Sequence, residues 1–181
     1  MKRLAVTAIT GSLLVLMTFT FAQAEYKYQF TGAAKCKVCH MSKKRGNQWG
    51  VWLESRHAKA YETLATDEAK ALVKGDKSAQ EDPACLKCHV AGWDAPAEML
   101  GKKYDKADGV SCESCHGPGS GYSPMKIMKD SEQAAANGLV ALKKEDCLKC
   151  HNKESPTYKP FDYDTFWAKI KHEVPEKTEA K

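Results

Sequence analysis

Apolar and polar residues alternate along positions 49–64 with the period of an amphipathic helix. The apolar residues recur every three or four positions, which places them on one face; they are Trp49, Trp52, Leu53, Ala60, Tyr61 and Leu64. His57 stands four residues after Leu53 and four before Tyr61, so it shares that face. The pattern predicts a helix over about Asn47–Thr66 that directs a histidine inward, either as an ordinary core residue or as a ligand.

Shorter patterns predict further helices separated by polar connections. We expect helices at about Asp67–Lys74 and at Ser131–Leu142, the latter interrupted near Asn137-Gly138, and another in the segment FDYDTFWAKIKH, which ends at His172. Gly75–Pro83 is polar and predicts an exposed connection. Cys112–Pro124 is rich in Gly, Pro and Ser, which suits either a close approach of the backbone to a bulky group or a plain surface turn.

The first 24 residues have the composition of an export signal. Lys2 and Arg3 precede an apolar run from Leu4 to Ala22, and the segment ends in Ala22-Gln23-Ala24, a small-x-small cleavage pattern. The alternative is an uncleaved membrane anchor, because the run is nearly long enough to span a bilayer. We expect cleavage, a mature chain of residues 25–181 without a membrane segment, and a periplasmic location, which is oxidising.

All eight cysteines lie in four pairs, with two residues between the members of each pair and a histidine directly after it. The motifs are Cys36-Lys-Val-Cys39-His40, Cys85-Leu-Lys-Cys88-His89, Cys112-Glu-Ser-Cys115-His116 and Cys147-Leu-Lys-Cys150-His151. C-x-x-C-H is the signature of haem c attachment, in which two thiols bind the porphyrin and the histidine binds the iron. Zinc sites and thioredoxin-like centres also use paired cysteines, but neither requires the histidine. The spacing predicts four covalently attached haem c groups, each with its iron.

Four haems in so short a chain change the expected fold. The chain is 28% charged, which leaves little apolar material for a conventional core. We therefore expect a mainly α fold of short helices and loops, wrapped around a cluster of four covalently attached c-type haems, with little or no β-sheet. Residues 25–181 should form one tetrahaem domain.

The net charge of +5 does not indicate nucleic-acid binding. Loss of Lys2 and Arg3 leaves +3, and haem propionates and ferric irons add about −8 and about +4, so the oxidised holoprotein is close to neutral. The run Lys43-Lys44-Arg45 either docks an acidic redox partner or is a solvated cluster that offsets propionates.

The number of histidines limits the axial ligands. Each haem iron has two axial positions, and the chain has six histidines, of which four follow the cysteine pairs. His57 and His172 are therefore candidate second ligands, although His172 also suits an exposed position near a helix end. The two remaining haems take methionine, water, a ligand from a partner, or nothing. Met125 and Met128 are the candidate methionines, with ordinary packing as the alternative.

With these motifs in view, the chain resembles the cytochrome c-554 family of periplasmic tetrahaem carriers. The resemblance rests on a Trp-x-x-x-x-His-Ala-Lys-Ala segment at Trp52–Ala60, on D-P-A-C-L-K-C-H-V-x-G, and on G-V-S-C-E-S-C-H-G-P-G at Gly109–Gly119, and it extends over nearly all of the mature chain. It implies a mainly α-helical fold with haems in closely spaced pairs.

The resemblance also implies a set of ligands. It pairs His57 with His116 and His172 with His151, and it makes the haem on His89 five-coordinate. In the family the first haem takes a histidine whose place here is held by Lys126, so the His40 haem is left with Met125, Met128 or an open site. Methionine ligation would raise the reduction potential of that haem.

The function expected from these features is electron transfer. We expect an electron carrier that accepts electrons from one redox protein and passes them to another through four closely packed haems. One alternative is an enzyme that reduces nitric oxide or another small nitrogen oxide at a five-coordinate haem. The other is a subunit of a haem-conducting assembly whose missing ligands come from neighbouring chains. The sequence leaves open the identity of the partners, the haem potentials and the oligomeric state.

Overall fold

The computed structural model describes residues 27–172, which fold into short helices joined by loops. The ten α-helices of this range are α1 Ala33–His40, α2 Gln48–Glu54, α3 Ala60–Thr63, α4 Asp67–Lys70, α5 Pro83–His89, α6 Cys112–His116, α7 Met125–Met128, α8 Ser131–Ala136, α9 Lys144–Cys147 and α10 Tyr163–Ile170. Four 3₁₀ turns lie between them, at Lys43–Arg45, Arg56–Lys59, Ala97–Met99 and Lys106–Asp108.

The described residues confirm a mainly α fold. They contain no β-strand, and their one isolated bridge joins Phe30 to Leu100 in parallel. Within the same range no helix has both the length and the apolar character needed to cross a bilayer. The expected export signal, residues 1–24, lies outside the described part of the chain.

Side-chain caps define where several helices begin. Asp82 precedes Pro83 of α5 and accepts a hydrogen bond from Ala84 N at 2.8 Å. Asp130 accepts from two backbone amides at the start of α8, both at 3.0 Å, and Asp162 accepts from Thr165 N of α10 at 2.8 Å. These carboxylates satisfy N–H groups that have no partner within the helix, and proline at the first helical position loses no hydrogen bond.

The region around His57 is helical, but the expected single helix is broken into three parts. Ser55 has extended backbone angles (φ −80°, ψ 159°), and its hydroxyl donates to Trp52 O at 2.6 Å. The chain restarts as a 3₁₀ turn carrying His57 and continues as α3. Because this break changes the helical register, Leu53 is 48% exposed, whereas Leu64 is buried. The prediction that Leu53 shares the buried face was therefore wrong.

The other helices follow the predicted pattern with shorter bounds. α4 and α8 begin at the expected residues and end earlier, at Lys70 and Ala136. α10 ends at Ile170, so His172 lies just beyond the helix. The connection at 75–83 is largely exposed, as expected, although Ala79 within it is fully buried.

The chain's own buried apolar side chains are few and mostly small. Among the described residues they are Ala33, Ala60, Leu64, Ala79, Val90, Ala91, Tyr122 and Ala134. Since hydrophobic stabilisation grows with the apolar area buried, alanines contribute little of it. Among the contacts that the chain makes with itself, polar contacts are therefore prominent.

The most connected of these polar contacts is made by Glu113, inside the third C-x-x-C-H motif. Its side chain is 2% exposed and accepts from Thr31 N (2.7 Å), Thr31 Oγ1 (3.2 Å), Gly32 N (2.8 Å) and Gly119 N (2.6 Å). Asp108 adds a hydrogen bond from Ala33 N at 2.9 Å. Together the two carboxylates bind the amides at the start of α1 and fasten them to the third motif.

Gly32 makes this close approach possible. Its φ of 83° lies in the left-handed region, and a Cβ there would collide with the carbonyl of Lys103. Neighbouring backbone bonds extend the junction: Phe30 N donates to Met99 O at 2.7 Å, and Gly101 N donates to Phe30 O at 2.8 Å.

Replacing Glu113 should destabilise the fold. Glu113→Ala leaves the amides of Thr31, Gly32 and Gly119 without acceptors, and an unsatisfied buried donor costs about 1–3 kcal/mol, so we expect the free energy of unfolding to fall by at least about 3 kcal/mol. Guanidinium chloride unfolding of the holoprotein measures this loss. Glu98→Ala, which removes an exposed carboxylate, is the control and should have little effect. Equal unfolding midpoints for the two variants would contradict the role given to Glu113.

Candidate functional site

The four C-x-x-C-H motifs coincide with helices or helix ends. The first three lie at the ends of α1 and α5 and over the whole of α6, and the fourth begins at the last residue of α9 and continues into a turn. Cysteines three positions apart on a helical turn lie on the same side of it. All eight thiols are free of disulfides and half-buried.

The thiols also bring different motifs into contact. The thiol of Cys36 in the first motif lies close to that of Cys112 in the third, and the thiol of Cys150 in the fourth lies close to that of Cys88 in the second and 4.0 Å from Lys87 O. Cys115 of the third motif lies close enough to Cys147 of the fourth to interact electrostatically. The motifs are therefore neighbours in the order first, third, fourth, second, which differs from their order along the chain.

Burial raises the pKa values of four of these thiols, those of Cys85, Cys115, Cys147 and Cys150, whereas the neighbouring Cys36 lowers the pKa of Cys112. Desolvation is the main cause that raises the pKa of Cys115 to about 11 and that of Cys150 to about 12, and neighbouring thiols add to it. The hydrogen bond to Cys112, followed by burial, raises the pKa of Cys36. Catalytic cysteines and zinc ligands instead have a lowered pKa, because the thiolate is the reactive form. Across residues 27–172, no group of three or more His, Cys, Asp or Glu side chains is arranged to hold a metal ion.

The structure brings four of the predicted histidines together as two facing pairs. The ring centres of His57 and His151 lie 6.0 Å apart with 59° between the planes. Those of His116 and His172 also lie 6.0 Å apart, with 60° between the planes. Both histidines that lie outside the motifs thus face a histidine that belongs to one.

These pairs correct the pairing that the family resemblance implied, in which His57 faced His116 and His172 faced His151. The turn carrying His57 is fixed by the residues before the third motif: Val110 N donates to His57 O at 3.1 Å, and Trp52 Nε1 donates to Val110 O at 2.9 Å. Gly109 permits this packing, because a Cβ on it would lie 2.9 Å from His57 O. The backbone of His57 thus packs beside the third motif, while its ring faces the fourth.

The donor set fits haem iron. An imidazole nitrogen binds a transition metal at about 2 Å, and the ring centre lies about 1 Å further out, so two rings on one iron have centres about 6 Å apart. Burial lowers the pKa of His57, and the nearby His151 lowers it further. Burial also lowers the pKa values of His151 and of His116. Burial thus favours the neutral form of these three rings, which is the form that binds a metal.

Three of the four motif histidines have a hydrogen-bond partner on Nδ1. His89 donates to Ala60 O at 2.6 Å, His116 to Val140 O at 3.3 Å, and His40 lies 3.2 Å from Gln48 Oε1. Such a bond orients the ring and leaves Nε2 free to bind metal. No feature of the sequence indicated the two carbonyl acceptors, which the fold brings next to the rings.

The two pairs leave His40 and His89 without a facing histidine, since all six histidines lie in the described range. Met125 and Met128 begin and end α7; Met125 is 61% exposed, and Met128 is half-buried. Lys126 between them is exposed. Ligation by either methionine remains a prediction.

Sequence reasoning missed Glu113 and Asp108, the two carboxylates that fasten α1 to the third motif. The signal for Glu113 was an acidic residue between the cysteines of a C-x-x-C-H motif. Each of the other three motifs has one lysine and one apolar residue there.

Removing the ring of His57 should leave one haem without its second axial ligand. We expect His57→Ala to convert one haem from low spin to high spin while the covalent haem content stays the same. Low-temperature EPR with spin quantitation against total haem measures this. Tyr61→Phe, on the next helix, is the matched control and should keep the wild-type spectrum. Unchanged low-spin intensity in His57→Ala would rule out His57 as a ligand.

Comparisons with known proteins agree with this site. The family model described as "Cytochrome c554 and c-prime" matches residues 35–117. A protein named cytochrome c-554 from Nitrosomonas europaea is 36% identical over 106 residues, which cover 51% of this chain and 40% of the relative. The match thus spans about two fifths of that relative's length. No solved structure matches.

The region matched by the family model contains the first three motifs and the turn that carries His57, while the fourth motif lies beyond it. The helical fold, the haem-attachment motifs and both matches support the cytochrome c-554 family for this chain, and the cytochrome c character of that family implies covalently bound haem c.

Proposed function

We propose that this protein is a tetrahaem cytochrome c that carries electrons between redox proteins. The observation that carries the proposal is the spatial order of the motifs, in which each attachment site is the neighbour of at least one other. Haem c, when bound, supplies a one-electron couple between ferric and ferrous iron. Adjacent attachment sites are what a carrier needs if an electron entering at one site is to leave at another.

The residues proposed to hold the four groups follow from the motifs and the histidine pairs. Two thioether bonds per group come from the cysteines of each motif. The group of the fourth motif would be bound by His151 and His57, and that of the third motif by His116 and His172. His40 and His89 would each supply one ligand to the remaining two groups.

The chain gives the four sites different environments. Two sites have paired histidines, whereas the sites of His40 and His89 have one each, and axial ligation is a main determinant of reduction potential. The buried carboxylate of Glu113 lies in the third motif and interacts unfavourably with an ionised Cys36, so it places negative charge near the first and third sites. Negative charge beside an iron centre favours its oxidised state.

A second candidate function is reduction of nitric oxide or another small nitrogen oxide. The specific observation in its favour is that the histidine pairs leave His40 and His89 unpaired, so that two irons have a second position for a small molecule or for a ligand from a neighbouring chain. The same observation is compatible with a subunit of a haem-conducting assembly. Electron carriage is the better supported, because it follows from all four sites.

We also propose that the chain works in the periplasm after cleavage following Ala24. The support is the Lys2-Arg3 start, the apolar run and the Ala-x-Ala pattern. Haem c attachment in an exported chain is consistent with eight cysteines that form no disulfides. Residues 25–181 would then be one tetrahaem domain.

Haem counting tests the tetrahaem proposal directly. Intact mass and pyridine haemochrome absorbance of the purified protein should give four covalent haems per chain. A Cys147→Ala/Cys150→Ala variant should retain three, because only the fourth motif loses its thiols. A wild-type content below four would refute the proposal.

The state of the His40 and His89 sites decides between carrier and enzyme. If these sites are open, EPR of the oxidised protein should show high-spin signal from up to two haems, and nitric oxide should abolish it. If methionine fills them, a near-infrared charge-transfer band should be present and should disappear in a Met125→Leu/Met128→Leu variant. Four low-spin haems that nitric oxide leaves unchanged would exclude the enzyme.

A further inference from the structure

The surface around the first C-x-x-C-H motif is strongly basic. Residues 33–53 contain five cationic side chains and no acidic one. All five cations are exposed, and they surround Val38 and Met41, which are 75% and 53% exposed. We call this surface the first-motif face; it comprises Lys35, Lys37, Val38, Met41, Lys43, Lys44 and Arg45.

The charge of the first-motif face is not neutralised locally. The lysine of the second motif, Lys87, is 2.6 Å from Glu154, and the lysine of the fourth, Lys149, is 2.7 Å from Asp146. The third motif carries Glu113 instead. In contrast, none of the five cations of the first-motif face has a carboxylate within ion-pair distance among residues 27–172.

The fold holds part of this charge against the motif itself. Arg45 Nη1 donates to Cys39 O at 3.4 Å, and Lys37 Nζ lies 5.5 Å from the centre of the Trp49 ring. Lys43 and Lys44 share the 3₁₀ turn with Arg45, which ends at Gly46 in the left-handed conformation. Arg45 therefore lies against the first motif, where the first haem would be attached, and Lys43 and Lys44 precede it in the same turn.

We propose that the first-motif face docks an acidic redox protein, which exchanges electrons at the haem attached to Cys36 and Cys39. A small apolar centre with a charged rim is the anatomy of transient interfaces, and complementary charge speeds their encounter. The first motif is also at one end of the spatial order of the four motifs, next to the third motif. A terminal site is where an external protein can exchange electrons with the chain of sites.

The inference rests on the proposed electron-carrier function and specifies where the partner binds. In the exchange, one electron passes from the reduced partner to the oxidised cytochrome. The partner is oxidised by one electron, the cytochrome is reduced by one, and no bond or proton is transferred.

The test measures how fast an acidic donor reduces the holoprotein. The probe is the hydroquinone of a flavodoxin, a small acidic one-electron donor, followed by stopped-flow absorbance at low ionic strength. Lys43→Glu/Lys44→Glu reverses two charges of the face and keeps Arg45 on Cys39. We expect its second-order rate constant to fall at least about tenfold, and the difference from wild type to vanish at high salt.

Lys74→Glu/Lys77→Glu is the matched control, because it makes the same change of net charge at two exposed lysines near the second motif. It should retain most of the wild-type rate. Reduction by durohydroquinone, which is uncharged, should be the same in all three proteins.

Several results would overturn the docking proposal. An equal fall in both variants would mean that only net charge matters, and an unchanged rate would mean that the face is not used. A shifted haem potential in Lys43→Glu/Lys44→Glu, with slower reduction by both donors, would mean that the lysines offset propionates. Loss of binding to phosphatidylserine vesicles with an unchanged flavodoxin rate would assign the face to a membrane surface. A wild-type protein that neither donor reduces would instead refute electron carriage.

Discussion

The helices in the described part of the chain have at most eight residues, and helices this short are not stable through their own hydrogen bonds. Their positions must be set by long-range contacts. Because the buried apolar side chains of the chain itself are mostly alanines, the carboxylate of Glu113 is a main long-range contact that positions these helices. Three of its four hydrogen bonds come from Thr31 and Gly32 at the start of the first motif's helix, and Gly32 is 81 residues away from Glu113 in sequence. The contact between Cys36 and Cys112 depends on that junction.

The paired rings show how a chain with few histidines uses them. His57 and His172 come from different ends of the described chain, yet each faces a motif histidine at the same distance. One is fixed by backbone bonds to the residues before the third motif, and the other lies just beyond a helix capped by Asp162. The same arrangement leaves the first and second motifs with one histidine each. These two motifs are at the ends of the spatial order, so the end sites differ chemically from the third and fourth sites between them.

Local sequence information was sufficient for part of this structure. The motif spacing predicts the attachment residues, the periodicity located the helical segments, and the histidine count selected His57 and His172 as candidate ligands. The break at Ser55 was not visible, because the apolar pattern continues across it and only the serine hydroxyl and the packing on Val110 favour the turn. The ring pairing was also not visible, since it depends on how loops distant in sequence meet. In the sequence Glu113 resembles an ordinary exposed charged residue, because its donors Thr31 and Gly32 lie far away along the chain.

The spatial order of the motifs has a consequence for how the protein matures. If the chain is exported as proposed, its first motif reaches the periplasm long before the third, but in the folded chain the thiols of Cys36 and Cys112 lie close together. Neighbouring thiols form disulfides in an oxidising compartment, and that bond would use one cysteine of each of two motifs. Haem would therefore have to be joined to the first motif before the chain folds, so that haem attachment and folding would compete during assembly.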